Sequence, residues 1–183
     1  SDYFKFFTEL RDNNNREWFN DNKPRFRESV QEPLAGFVEA MGPKLKKISK
    51  HFVADPRLNG GSVFRIYKDV RFSKDKSPYK THGAVQFRHA LGKDAHAQGF
   101  YVHFAPDEIF YGGGIWVPPS PQLLKIRETI RDKGAAWKKA TSGAAFVTRF
   151  KGVRGDSLTR PPRGFEGDHP LIEDIKRKSF FAM

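Results

Sequence analysis

Between Arg65 and His82 the chain sets Arg65, Lys68, Arg71, Lys74, Lys76 and Lys80 among Tyr67, Ser73, Ser77, Tyr79 and Thr81, with Asp69 and Asp75 interspersed. This is a set of groups suited to an anion. Guanidinium and ammonium groups give charge-assisted hydrogen bonds to phosphate or carboxylate oxygens, and hydroxyls add neutral donors. Asp69 and Asp75 would orient the cations or accept a proton. The first residues read as a strand and the rest as a surface loop, the place where binding and catalytic groups concentrate on a scaffold. The same pattern also suits a solvated loop whose ion pairs each contribute little. The segment lacks the glycines of a Walker loop. Gly112-Gly113-Gly114 is no dinucleotide fingerprint, because prolines intervene before the next helix.

Two further residues are expected to join the site by strand parity. Phe64, Ile66, Val85, Phe87, Phe100, Val102, Phe104 and Phe110 would make the buried face of an antiparallel sheet. The opposite parity collects Arg65, Tyr67, Gln86, Arg88, Tyr101, His103 and Tyr111, long or polar-tipped residues that could line a cationic cleft. Arg88 and Tyr101 therefore enter the expected ligand set with Arg65, Tyr67, Lys68, Arg71, Ser73, Lys74, Lys76, Tyr79 and Lys80. Asp69, Asp75, His82 and His103 are the acid–base candidates. The six histidines form no H-E-x-x-H or H-x-H pair, so no metal site is expected. No G-x-S-x-G element supports a serine nucleophile. No cofactor is implied.

The elements that must position these residues can be read from periodicity. Residues 2–10 carry apolar side chains at helical spacing. Asn14 with Glu17 resembles a capping box that starts a second helix. Pro24 either kinks it or opens the next, and the apolar repeat from Phe26 to Ile48 predicts a long amphipathic stretch divided or bent at Pro33 and Pro43. The period then changes: strands are expected over 63–68, 83–90, 99–105 and 108–112, with Pro106-Asp107 as a hairpin turn and a polar connection over 91–98. Gly112-Gly113-Gly114 is expected to end the sheet. Ser120 would cap a helix with Leu123, Leu124, Ile126 and Ile130 on its apolar face. A short helix over 135–140, a fifth strand over 146–150, an extended segment over 160–165 and a last helix over 170–178 complete the reading. The fold class is α+β: a mainly antiparallel sheet of four to six strands, with N-terminal, middle and C-terminal helices packed largely on one face of a single domain.

Composition bounds the function classes. The net charge of +12 favours a polyanionic or phosphorylated partner. Zero cysteines exclude disulfides, thiolate catalysis and Cys-type zinc sites. No apolar run approaches a membrane span, so no membrane partner is expected, and the lack of cysteine suits a cytoplasmic setting. With Ser1 in place of Met, the native start is expected to be missing.

The motifs resemble those of a family of uncharacterised proteins catalogued as a domain of unknown function, DUF2461. Asn13-Asn14-Asn15-Arg16-Glu17-Trp18-Phe19 with Asn22-Lys23-Pro24 is similar to its opening, and the run from Arg65 to Lys80 to its central signature. Gly99-Phe100-Tyr101 through Ile115-Trp116, and Arg160 to Phe165 with Asp168-His169-Pro170, are similar to its later blocks. The resemblance implies a one-domain soluble protein whose members run further at the C-terminus, so the chain is expected to be incomplete there. It supplies no catalytic residues.

The sequence thus points to binding of an anionic, phosphorylated small ligand in a basic cleft, with hydrolase- or transferase-type chemistry if a base lies beside the cations. One alternative is sequence-independent nucleic-acid binding, with Tyr67, Phe72 and Tyr79 stacking on bases. Another is a protein-interaction module that presents Trp116 as an aromatic anchor. Oligomeric state is not legible.

Overall fold

The computed structural model describes residues 1–92 and 96–183. It is α+β, with one four-stranded antiparallel sheet in the order β1-β2-β3-β4. The backbone divides into two compact units, residues 1–90 with 100–111, and residues 91–99 with 112–183.

In the first unit, α1 (Asp2–Asp12) buries Phe6, Phe7 and Leu10, the residues its spacing places on one face. The next helix, α2 (Arg16–Asp21), is capped by Asn15, whose side chain accepts from the Trp18 N–H at 3.0 Å. The expected cap at Asn14 is corrected to Asn15, which takes the extended conformation a cap requires. Pro24 sits in the first turn of α3 (Lys23–Phe26), where its missing N–H costs nothing. A π-helical turn, Arg27–Gln31, then leads into α4 (Glu32–Ile48). Pro33 follows that turn directly. Its ring opposes the carbonyl one turn back, and a widened turn relieves the clash. Phe26, Val30, Leu34, Val38 and Leu45 are buried as the repeat predicts, whereas Ile48 is exposed.

Strands β1 (Gly83–Arg88) and β2 (Gly99–Phe104) form where expected. Val85 and Phe87 are buried, and Phe100, Val102 and Phe104 pack on the same core. The expected strand over 63–68 is corrected to an extended run with isolated bridges at Val63–Val85 and Tyr67–Tyr79. Without a continuous ladder its parity is not kept. Val63 and Ile66 enter the core, while Phe64 turns to Tyr101, with ring centroids 6.0 Å apart. Phe110 likewise lies on the other face, stacked on His103 at 4.5 Å. His103 is therefore buried, at 8 % exposure, rather than solvent-facing. Pro106-Asp107 does turn a hairpin, closed by Ala105 N–H donating to Glu108 O at 2.9 Å.

Strand β3 (Ile109–Ile115) does not stop at the glycines. In the second unit, Gly113 pairs with Ala182 and Gly114 with Phe181 of β4 (Phe180–Ala182), so the apolar C-terminal segment is a strand. The glycines are there for close approach: a Cβ on Gly112 would meet Ala182 O at 2.3 Å, and one on Gly114 would meet Phe180 O at 2.2 Å. α5 (Ser120–Asp132) is preceded by Pro119 at the cap position, and Ser120 makes no capping bond. Its Ile130 is buried with Leu123 and Ile126 against the second core, but Leu124 is exposed. α6 (Gly134–Thr141) matches the expected short helix. The expected strand over 146–150 is a helix, α7 (Ala144–Phe150), whose Phe146 and Phe150 rings meet one turn apart at 5.4 Å. The last helix is only α8 (Ile172–Ile175). Ile115, Ile130, Ile175 and Phe180 form the core of this unit. Asp94 of the polar connection lies outside the described residues.

Candidate functional site: a basic cleft around Tyr67

The basic loop is held at its base by backbone pairing. Lys68 N–H donates to Pro78 O at 2.9 Å and Lys80 N–H to Ile66 O at 2.8 Å, on either side of the Tyr67–Tyr79 bridge. Asn14 clamps the far strand of this loop. Its amide donates to Tyr79 O at 2.9 Å and accepts from Tyr79 N–H at 3.1 Å. Tyr79 is buried and stacks on Phe19 at 4.1 Å. The first helices thus fix the loop through one asparagine and one ring.

Much of the loop's charge is paired internally. Asp69 takes Arg71 bidentately at 2.7 and 3.0 Å and caps the Arg71 N–H, and these bonds hold its carboxyl down to about 2. Asp75 binds Lys68 and accepts from the Ser77 N–H at 2.8 Å and hydroxyl at 2.9 Å, with the same result, about 2. Both carboxylates are ionised and occupied, which makes them weak bases near neutrality. Lys76 Nζ donates to Val70 O at 3.0 Å, and Lys80 Nζ to Arg65 O at 2.8 Å. Burial, then Arg65, lowers the pKa of Lys80. Ser73 is half-buried, and its N–H reaches Val70 O at 3.4 Å. Lys74 is exposed and forms no ion pair among the described residues. Phe72 stands 96 % exposed.

Two cavities flank Tyr67. The smaller, about 350 Å³, is lined by Arg16, Asn20, Tyr67, Lys68, Val70, Pro78 and Tyr79. The larger, about 480 Å³, takes Lys23, Arg27, Arg65 and His82 together with apolar residues that include Phe26, Leu34, Val63, Phe64 and Ile66. Neither lining contains an Asp or Glu. Arg27 is paired with Glu32 at 3.1 Å and Lys68 with Asp75, but Arg16, Lys23 and Arg65 form no ion pair among the described residues. Of the expected ligand set, Arg65, Tyr67, Lys68 and Tyr79 line these cavities. Arg71, Ser73, Lys74, Lys76, Lys80, Arg88 and Tyr101 do not.

Both candidate histidines are brought together. Their rings lie 4.2 Å apart, His103 Nδ1 shares a hydrogen bond of 3.1 Å with the Tyr101 hydroxyl, and its Nε2 faces Glu108 at 3.6 Å. Burial, then His103, then Lys80 push His82 down to about 4. Burial also lowers His103, against the opposing pull of Glu108. His82 is thus a neutral imidazole on the wall of the larger cavity. Among the described residues no His, Asp or Glu cluster has the makings of a metal site. Trp116, the expected interaction anchor, is 57 % exposed and stacks on His96 at 5.4 Å.

Sequence reasoning missed Arg16, Asn20, Lys23 and Arg27. Their signal was available: they recur at near-helical spacing beside the Asn-rich turn, on the exposed side of helices whose other side is core. Among the described residues no helix is long and apolar enough to cross a membrane. A family model described as "Conserved hypothetical protein (DUF2461)" matches residues 2–183, and the chain belongs to that family. No curated protein and no solved structure matches it.

Proposed function

We propose that this protein binds an anionic, phosphorylated small ligand in the basic cleft around Tyr67. One observation carries the reading: two adjoining cavities share Tyr67, draw cations from both the helices over 16–27 and the run over 65–68, and have no carboxylate in their walls. A cavity with that lining lowers the energy of an anion and repels none of its charge. Arg16, Lys23 and Arg65, which form no ion pair among the described residues, are the residues this reading puts on the ligand. Asn20 and the Tyr67 hydroxyl would add neutral hydrogen bonds. Hydrolase- or transferase-type chemistry at this site would run through His82, the acid–base candidate in the cavity wall, because Asp69 and Asp75 are engaged with Arg71 and Lys68. The reading keeps the cytoplasm as the expected setting.

Thermal unfolding in the presence of phosphomonoesters tests it. A ligand that binds only the native state raises the apparent Tm. The expected result is a concentration-dependent rise at millimolar phosphomonoester that an Arg16→Ala, Arg65→Ala double variant largely loses. Each lost charge-assisted hydrogen bond weakens binding by roughly 1.5–3 kcal/mol. Absence of any shift, or an equal shift in the double variant, rejects the site.

A further inference from the structure

The larger cavity carries more information than its charge. Its cations stand at the rim: Lys23, Arg27 and Arg65 are all exposed. Its floor is part of the main hydrophobic core. Phe26, Leu34, Val63 and Ile66 belong to that core and line the cavity, and Phe64 stands half-buried in its wall. A small hydrophilic anion would engage the rim alone and leave that floor against water. Apolar area facing solvent at the bottom of a cationic mouth is relieved only by a ligand that brings apolar area of its own.

We infer that the ligand of this cleft is an anionic amphiphile, with a phosphate or carboxylate head held by the rim cations Lys23 and Arg65 and an aliphatic or aromatic body lying over Phe26, Leu34, Val63 and Ile66. The inference rests on the anion-binding reading above and adds the class of molecule that carries the anion. A cavity of about 480 Å³ accepts a body of several carbons beside its head group. Each methylene moved from water onto the floor tightens binding by about fourfold, the equivalent of ~0.8 kcal/mol per buried CH₂.

Calorimetric titration of the whole chain with inorganic phosphate and with methyl, butyl and hexyl phosphate tests this, with the matching carboxylates as a second arm that separates the two head groups. The expected series tightens by about fourfold per methylene until the cavity is full. An Arg65→Ala variant should weaken every member by a similar factor. Leu58, half-buried in a surface turn and part of the same lining, offers a second variant that spares the core. Leu58→Ser should flatten the chain-length dependence and leave inorganic phosphate binding as it is. Equal affinity for phosphate and hexyl phosphate overturns the amphiphile while leaving the anion site intact. Binding by none of the compounds overturns both. Chain-length dependence that survives Leu58→Ser unchanged places the apolar contact elsewhere and also overturns the proposal.

Discussion

His82 illustrates what the fold does to a side chain whose type was readable and whose environment was not. Its ring lies against His103, near Lys80, and the three effects of burial, the second imidazole and the ammonium group act in one direction, to about 4. An imidazole in the unfolded chain titrates near ~6.5. Below that pH the unfolded chain binds a proton that the folded chain refuses, so stability is fully present above the unfolded value and is lost as pH falls through the window toward 4. His103, also lowered, adds to the loss. Asp69 and Asp75, held at about 2, add theirs only at lower pH. Urea midpoints measured between neutrality and pH 4 should therefore fall steadily, and a His82→Asn variant should show a shallower fall. A variant slope as steep as that of the natural chain would show that this imidazole is not held neutral. The types of the loop residues were plain in the sequence. Which of them neutralise one another depends on a turn geometry that no spacing rule specifies: Arg71 is held by Asp69, and Lys76 by the Val70 carbonyl.

At the scale of elements, periodicity recovered α1, α4, α5, β1 and β2, because a buried face imposes its period on the sequence. It failed where that constraint is weak. The run over 63–68 makes only isolated bridges, so Phe64 need not follow the parity of Ile66. Residues 146–150 bury no side chain fully, and their apolar content looked like a strand. The glycine run reads as an end because glycine is poor in strands, whereas it marks backbone pressed against backbone. That reading makes a paired test. Gly112→Ala would drive a Cβ to within 2.3 Å of Ala182 O and should weaken the β3–β4 pairing, at a cost of about 1–3 kcal/mol in chemical denaturation. Gly36→Ala, in the exposed face of α4 with nothing within 4 Å, should stabilise by ~0.5–1 kcal/mol through helix propensity. A neutral Gly112→Ala would mean that β4 does not lie where the glycines say it does.

For the molecule as a whole, the net charge of +12 acts at a distance that no single pocket controls. Any polyanion is attracted to it, and part of the attraction is the release of condensed counterions, which salt opposes. Sequence discrimination needs side chains placed against base edges, and the sequence offers no RNP-type segment, KH loop or helix-turn-helix through which to place them. Single-stranded DNA and RNA of unrelated sequence should accordingly bind weakly and alike. The logarithm of affinity should fall linearly with that of salt, by about 0.7 per phosphate contacted. Arg65→Ala separates this background from the cleft. One cation removed from a diffuse field should lower the salt slope by ~1 or less and weaken all nucleic acids uniformly. On the proposed reading the same change should remove most of the binding of a small phosphomonoester, for which Arg65 would be one of only a few contacts. If nucleic acid instead binds with affinity that survives high salt, or distinguishes one sequence from another by orders of magnitude, the cations around Tyr67 serve a strand and not a small ligand.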